Sequence, residues 1–120
     1  QINERLLQHL ARLGANVLWL NLAGSSIVGG QLTGLRSLPN LQRLHLERTA
    51  VDDAALVQLL PLAKLEYLNL VSTKVSDAGL YRLKGLTSLR RLFLWQSQVT
   101  KAGAERLAAD LPGCTVSNGP

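Results

Sequence analysis

From Leu65 onward the apolar positions of this chain fall at two different spacings. Leu65, Leu68 and Leu70, followed by Thr73 and Val75, read LxxLxLxxTxV, and Leu80, Leu83 and Leu86 then recur every three residues. The first run suits a short strand, and the second suits the inward face of a helix. Shifting by 24 residues returns the same pattern: Leu41, Leu44, Leu46, Thr49, Val51, Leu56, Leu59 and Leu62 before it, and Leu89, Leu92, Leu94, Ser97, Val99 and Leu107 after it. A further shift lands on Val17, Leu20, Leu22, Ser25, Ile27, Leu32, Leu35 and Leu38. Four copies, 17–40, 41–64, 65–88 and 89–112, therefore follow one another without insertion. Recurrence at a fixed period of this length predicts one stacked domain over 1–120 in which every unit contributes a strand, a turn and a helix to a shared core.

The flanks follow from the same register. Leu6, Leu7, Leu10 and Leu13 have helical spacing, with Asn3 and Glu4 as start signals and Gly14 as a stop, so 1–16 reads as a cap helix or as the helical half of a partial repeat, the second being preferred. In the first full copy Gly29-Gly30 stands where its neighbours have Asp53-Ala54 and Asp77-Ala78, which predicts a short or irregular helix. Asp52, Ser76 and Thr100 are expected to cap the next three helices, and Asp53 and Asp77 to place negative charge near a positive helix end. Pro112 and Gly113 stop the fourth helix, Val116 takes the strand position a fifth time, and 113–120 is expected to close the array.

Strand geometry then points to a surface. If the leucines at positions four and six of each unit face the core, positions three, five and seven face the opposite side of a parallel sheet. Three columns result: Trp19, Arg43, Tyr67, Arg91 and Thr115; Asn21, His45, Asn69, Phe93 and Ser117; Ala23, Glu47, Val71 and Trp95. Of the chain's five Phe, Trp and Tyr residues, four lie in these columns and only Tyr81 lies elsewhere. Trp, Tyr and Arg dominate binding hot spots, so the columns are a candidate surface for a protein or peptide. Strand propensity and cross-strand stacking explain part of the enrichment, but not the near absence of aromatics from the helices. Arg43 and Arg91 flank Tyr67, so a guanidinium is placed to stack on its ring, with Glu47 as the acidic group in reach.

Charge changes this picture little. The net charge is +5, yet the basic residues are scattered over helices and turns, with only Arg90 and Arg91 adjacent, so nucleic acid is not the expected partner. A single cysteine, Cys114, reads as a small buried hydrophobe, and no His/Cys cluster has metal-ligand spacing. His45 and Glu47 share one face, but no nucleophile or third ligand accompanies them, so no catalytic residue, metal or cofactor is assigned. Ser25, Thr49, Thr73 and Ser97 recur with the repeat and are expected to bond backbone groups where strand gives way to turn. No apolar run is long enough to span a bilayer. The first residue is Gln1 rather than Met, which reads as a trimmed chain, and the residues themselves set no compartment.

Thr73-Lys74-Val75-Ser76-Asp77-Ala78-Gly79-Leu80 resembles the turn and helix start of leucine-rich repeats with a short 24-residue consensus. That resemblance implies an α/β, right-handed solenoid with a curved parallel sheet on the concave side and short helices on the convex side. More narrowly, residues 41–51 (LQRLHLERTAV), 65–70 (LEYLNL), 89–100 (LRRLFLWQSQVT) and the following LPGCTV resemble the C-terminal repeats of bacterial membrane proteins that carry a c-type cytochrome domain. This implies transmembrane helices and a haem domain upstream, with the repeats outside the cytoplasm, in the periplasm. The chain itself has no CxxCH, so any redox chemistry belongs to other parts. Gly29-Gly30 and Asp52, in place of the usual Thr or Ser, depart from the consensus. The expected function is a non-catalytic interaction module of such a larger protein, docking a protein, a peptide or the haem domain of the same polypeptide. The alternatives are a free-standing effector or adaptor and, from a different class, a polyanion binder.

Overall fold

The structure, a computed structural model, describes residues 16–27 and 29–118; the helix expected over 1–16 lies almost wholly outside them. Five three-residue strands form one parallel sheet in chain order: β1 (Trp19–Asn21), β2 (Arg43–His45), β3 (Tyr67–Asn69), β4 (Arg91–Phe93) and β5 (Thr115–Ser117). Every pairing is in the repeat register, with Leu20 beside Leu44, Leu44 beside Leu68, Leu68 beside Leu92 and Leu92 beside Val116. Each strand is short because the backbone turns immediately after it. Gly24, Arg48, Ser72 and Gln96, all at one register position, take positive φ values of 69°, 57°, 57° and 58°. The left-handed residue swings the chain off the sheet toward the helical side.

The core lies between sheet and helices, and the repeat pattern predicts most of its residues, although Val17, Leu20 and Val116 at the two ends of the sheet are only partly buried. Leu44, Leu46, Leu68, Leu70, Leu92 and Leu94 from the strand halves are fully buried, as are Leu35, Leu59 and Leu83 from the helical halves. Burying one such side chain is worth about 1.5 to 3 kcal/mol, and each is shared between neighbouring repeats. The hydroxyl column closes the turn beneath them. Thr49 donates to Leu46 O at 2.7 Å, Thr73 to Leu70 O at 2.8 Å and Ser97 to Leu94 O at 2.6 Å, while Ser25 Oγ accepts from Ile27 N at 3.4 Å.

The helical halves differ from repeat to repeat. The first is a 3-10 helix over Gly29–Ser37, irregular as the glycines predict. The second and third each open with one α-helical turn, α1 (Asp53–Leu56) and α2 (Asp77–Leu80), and tighten into 3-10 helix over Val57–Leu59 and Tyr81–Gly85. Only the fourth is α-helical throughout its length, α3 (Lys101–Asp110). The apolar spacing explains the difference. Leucines every three residues match the three-residue turn of a 3-10 helix, whereas Ala104, Leu107 and Leu111 step by three and then four, as an α-helix requires.

The helix starts correct two expectations. Asp52 and Thr100 do cap, accepting from Ala55 N at 3.1 Å and Gly103 N at 3.0 Å, but Ser76 makes no capping bond. Its hydroxyl and its backbone N–H both donate instead to the Asp53 carboxylate of the preceding repeat, the N–H at 2.7 Å. Asp77 is held in the same way by Thr100, whose N–H and hydroxyl donate at 2.8 and 2.6 Å. Asp53 and Asp77 thus act as clasps to the next repeat rather than only as charges at their own helix ends. Each carboxylate occupies the space that a Cβ would fill on Gly79 or Gly103, which is why those positions are glycine. Where the clasp is missing, so is its cradle: Gly29 replaces the Asp, and Ala55 follows 26 residues later at the glycine position.

Candidate functional site

The first two columns lie in the strands of the sheet, and the third, Ala23, Glu47, Val71 and Trp95, lies in the turns that follow them. Trp19, Arg43, Tyr67, Arg91 and Thr115 are direct neighbours across the five strands, as are Asn21, His45, Asn69, Phe93 and Ser117. Their central leucines point the other way into the core, so the alternation of strand side chains alone sets this surface.

Five residues of the first two columns, Trp19, Arg43, Tyr67, His45 and Phe93, form a connected stack. The Arg43 guanidinium carbon lies 4.5 Å from the Trp19 ring centroid and 4.4 Å from that of Tyr67. Tyr67 in turn meets His45 at 4.9 Å and Phe93 at 5.3 Å, with the rings tilted. The expected cation stacking on Tyr67 is therefore made by Arg43, extends to Trp19, and does not involve Arg91. Trp19 is 66% exposed and Trp95 38%, while Tyr67, Phe93 and His45 are half-buried by the stack. The Trp19 ring, held by Arg43, loses little side-chain freedom when a partner covers it.

The polar residues have settled roles. Asn21 and Asn69 each accept from the backbone two residues on, Ala23 N at 2.9 Å and Val71 N at 3.0 Å, so their carbonyl oxygens hold the strand exit. Glu47 does not serve Arg43. It faces His45, whose Nδ1 lies 3.3 Å from both carboxylate oxygens, and Glu47 Oε1 is buried with no hydrogen-bond partner. Cys114 is buried, and burial pushes its thiol pKa up, as suits an unreactive core side chain. Among the described residues no group of three His, Cys, Asp or Glu converges as metal ligands would, and no helix is long and apolar enough to cross a membrane.

Two features escape the column pattern. A groove of about 410 Å³ runs along one rim of the sheet, lined by Trp19, Arg43, Tyr67 and Arg91 and also by Gln42, Glu66 and Arg90. These last three precede the first column by one residue, and the adjacent pair Arg90-Arg91 is the signal in the sequence that marks the rim. On the helical side, Tyr81 carries Lys84 at 4.0 Å and Arg106 at 4.5 Å over its ring. The Lys84 ammonium donates to the Tyr81 hydroxyl at 2.8 Å and, through that bond and its charge, lowers the phenol pKa.

A parallel sheet of identical short strands, a turn with one left-handed residue and short helices on the far side define a leucine-rich-repeat solenoid. Solved structures of that fold superimpose on it. Internalin C2 of Listeria monocytogenes matches with a TM-score of 0.68 and 26% identity over 89% of this chain, which spans 43% of the internalin. The actin-binding site 2 of leiomodin-1 matches with a TM-score of 0.72 and 17% identity over 100% of this chain and 80% of its own. A leucine-rich-repeat protein of Leptospira interrogans matches with a TM-score of 0.53 and 21% identity over 98% of this chain and 40% of its own. No protein-family model matches the sequence. No curated protein matches it either.

Proposed function

We propose that this solenoid is a non-catalytic interaction module that receives a protein or peptide on its concave sheet face. The observation that carries the reading is the exposed stack of Trp19, Arg43 and Tyr67, continued by Phe93 and flanked by Trp95, on a face that the fold does not need to be aromatic. Rigid aromatic and arginine side chains at the centre of a surface are the usual anchors of protein interfaces. The likeness to leiomodin-1 supports a protein as partner, because that structure is of an actin-binding site.

The resemblance of 41–51, 65–70 and 89–100 to repeats that follow a c-type cytochrome domain supports a finer reading. In it the module belongs to a membrane-attached, extracytoplasmic protein and docks the haem domain of the same polypeptide. The test follows Trp19 and Trp95 fluorescence while the haem-containing domain encoded in the same gene is added. Saturable quenching, weakened in Trp95→Ala, is the expected result. A gene without CxxCH, or fluorescence unchanged at every concentration, would remove the haem domain as partner and leave an outside protein.

A further inference from the structure

The rim groove has a charge bias that the rest of the face lacks. Arg43, Arg90 and Arg91 line it against one carboxylate, Glu66, and among the described residues none of the three guanidiniums has an ion pair or hydrogen bond. Arg43 is also positioned: its guanidinium carbon sits between the Trp19 and Tyr67 rings of the two flanking strands, and its N–H groups are left for a partner. A guanidinium donates in its own plane, in a fork that matches the two oxygens of a carboxylate.

We infer that the groove recognises an acidic segment of the protein partner, with an Asp or Glu side chain received on the N–H edge of Arg43 and further carboxylates met by Arg90 and Arg91. This inference rests on the concave-face reading and adds the chemistry of what binds there. The second and third columns offer Asn21, Asn69, Val71 and Glu47 and no Lys or Arg, and Arg48 stands apart from the groove, at the strand exit beside Gly24. A phosphodiester chain would need basic groups along its whole path, whereas two or three carboxylates need only this cluster.

The test selects random dodecamer peptides, displayed on phage, against the full chain and titrates the enriched peptides by fluorescence anisotropy. The expected result is an acidic residue at a fixed peptide position. Glu→Gln in the peptide and Arg43→Gln in the protein should each weaken binding about tenfold or more, and both together no further, as for a charge-assisted pair. Arg43→Lys should restore little, because the fork and the stack are lost, and Lys101→Gln on the helical side should change nothing. Circular dichroism checks that each variant is folded. Neutral peptides that depend on Phe93 and Trp95 but ignore Arg43→Gln would overturn the acidic partner while leaving the concave face as the site. Peptides insensitive to all three positions would overturn both readings. Enrichment of no peptide, or tighter binding of an oligouridylate whose affinity falls steeply with salt, would overturn the inference.

Discussion

At the scale of single residues the clearest constraint is the left-handed position shared by Gly24, Arg48, Ser72 and Gln96. A Cβ on Gly24 would find only the Arg48 guanidinium, 3.9 Å away, so Gly24→Ala should cost about 1 to 2 kcal/mol through conformation alone. Urea denaturation measures it, and Arg48→Gly should be nearly neutral in the same assay, its relief of strain offset by added chain entropy. The clasp residues make a second case. Gly103→Ala should destabilise by about 1 to 3 kcal/mol because its methyl group overlaps the Asp77 carboxylate, and Asp77→Ala should rescue most of that packing cost. The Thr100 hydroxyl and N–H hold the Asp77 carboxyl below its ordinary 3.8. A depressed folded value contributes stability above the unfolded pKa, and that stability is lost as pH falls through the folded one. The acid limb of a pH–Tm profile below about pH 4 should therefore be shallower in Asp77→Asn. The sequence shows Asp, Ser/Thr and Gly only as a local helix-start motif. Their pairing between repeats becomes visible when Gly29 is set beside Ala55, and Asp53 beside Gly79, one repeat apart.

Among the elements, strands were readable and helices only in part. The LxxLxL spacing fixes which side chains are inside, and β1 to β5 fall where it predicts, because a period-2 alternation tolerates no slip in register. Leu68→Ala should therefore cost about 2 to 5 kcal/mol, read by thermal melting, since Leu68 is fully buried in the central strand. The neighbouring Tyr67→Ala, which removes stacking contacts but no core volume, should lower the melting temperature clearly less than Leu68→Ala, and the contrast between adjacent residues tests the assignment of faces. The helical halves read as helix, but the switch from 3-10 to α in the fourth repeat depends on whether apolar steps are uniform threes or threes and fours. Ser76 departs from the expected capping role for a related reason. A hydroxyl before a helix has the local geometry of a cap, and the carboxylate that captures it comes from a repeat away, beyond the reach of any local rule.

Across the whole molecule the array separates its tasks by face: leucines between the layers hold it together, clasps on the helical side join the third and fourth repeats to their predecessors, and aromatic and arginine side chains occupy the open sheet. The site was legible because a 24-residue period turns a linear sequence into columns. Its chemistry was less so, since Arg43 stacking on both flanking rings and Glu47 turning to His45 depend on side-chain directions that spacing does not set. The face is an expected binding surface rather than a store of stability, and amide chemical-shift mapping with the tightest selected peptide tests that most directly. The largest shifts should fall on the strand residues of the first two columns, led by Trp19, Arg43, Tyr67 and Phe93. Shifts centred instead on Tyr81, Lys84 and Arg106 of the helical face, with the strands silent, would contradict it.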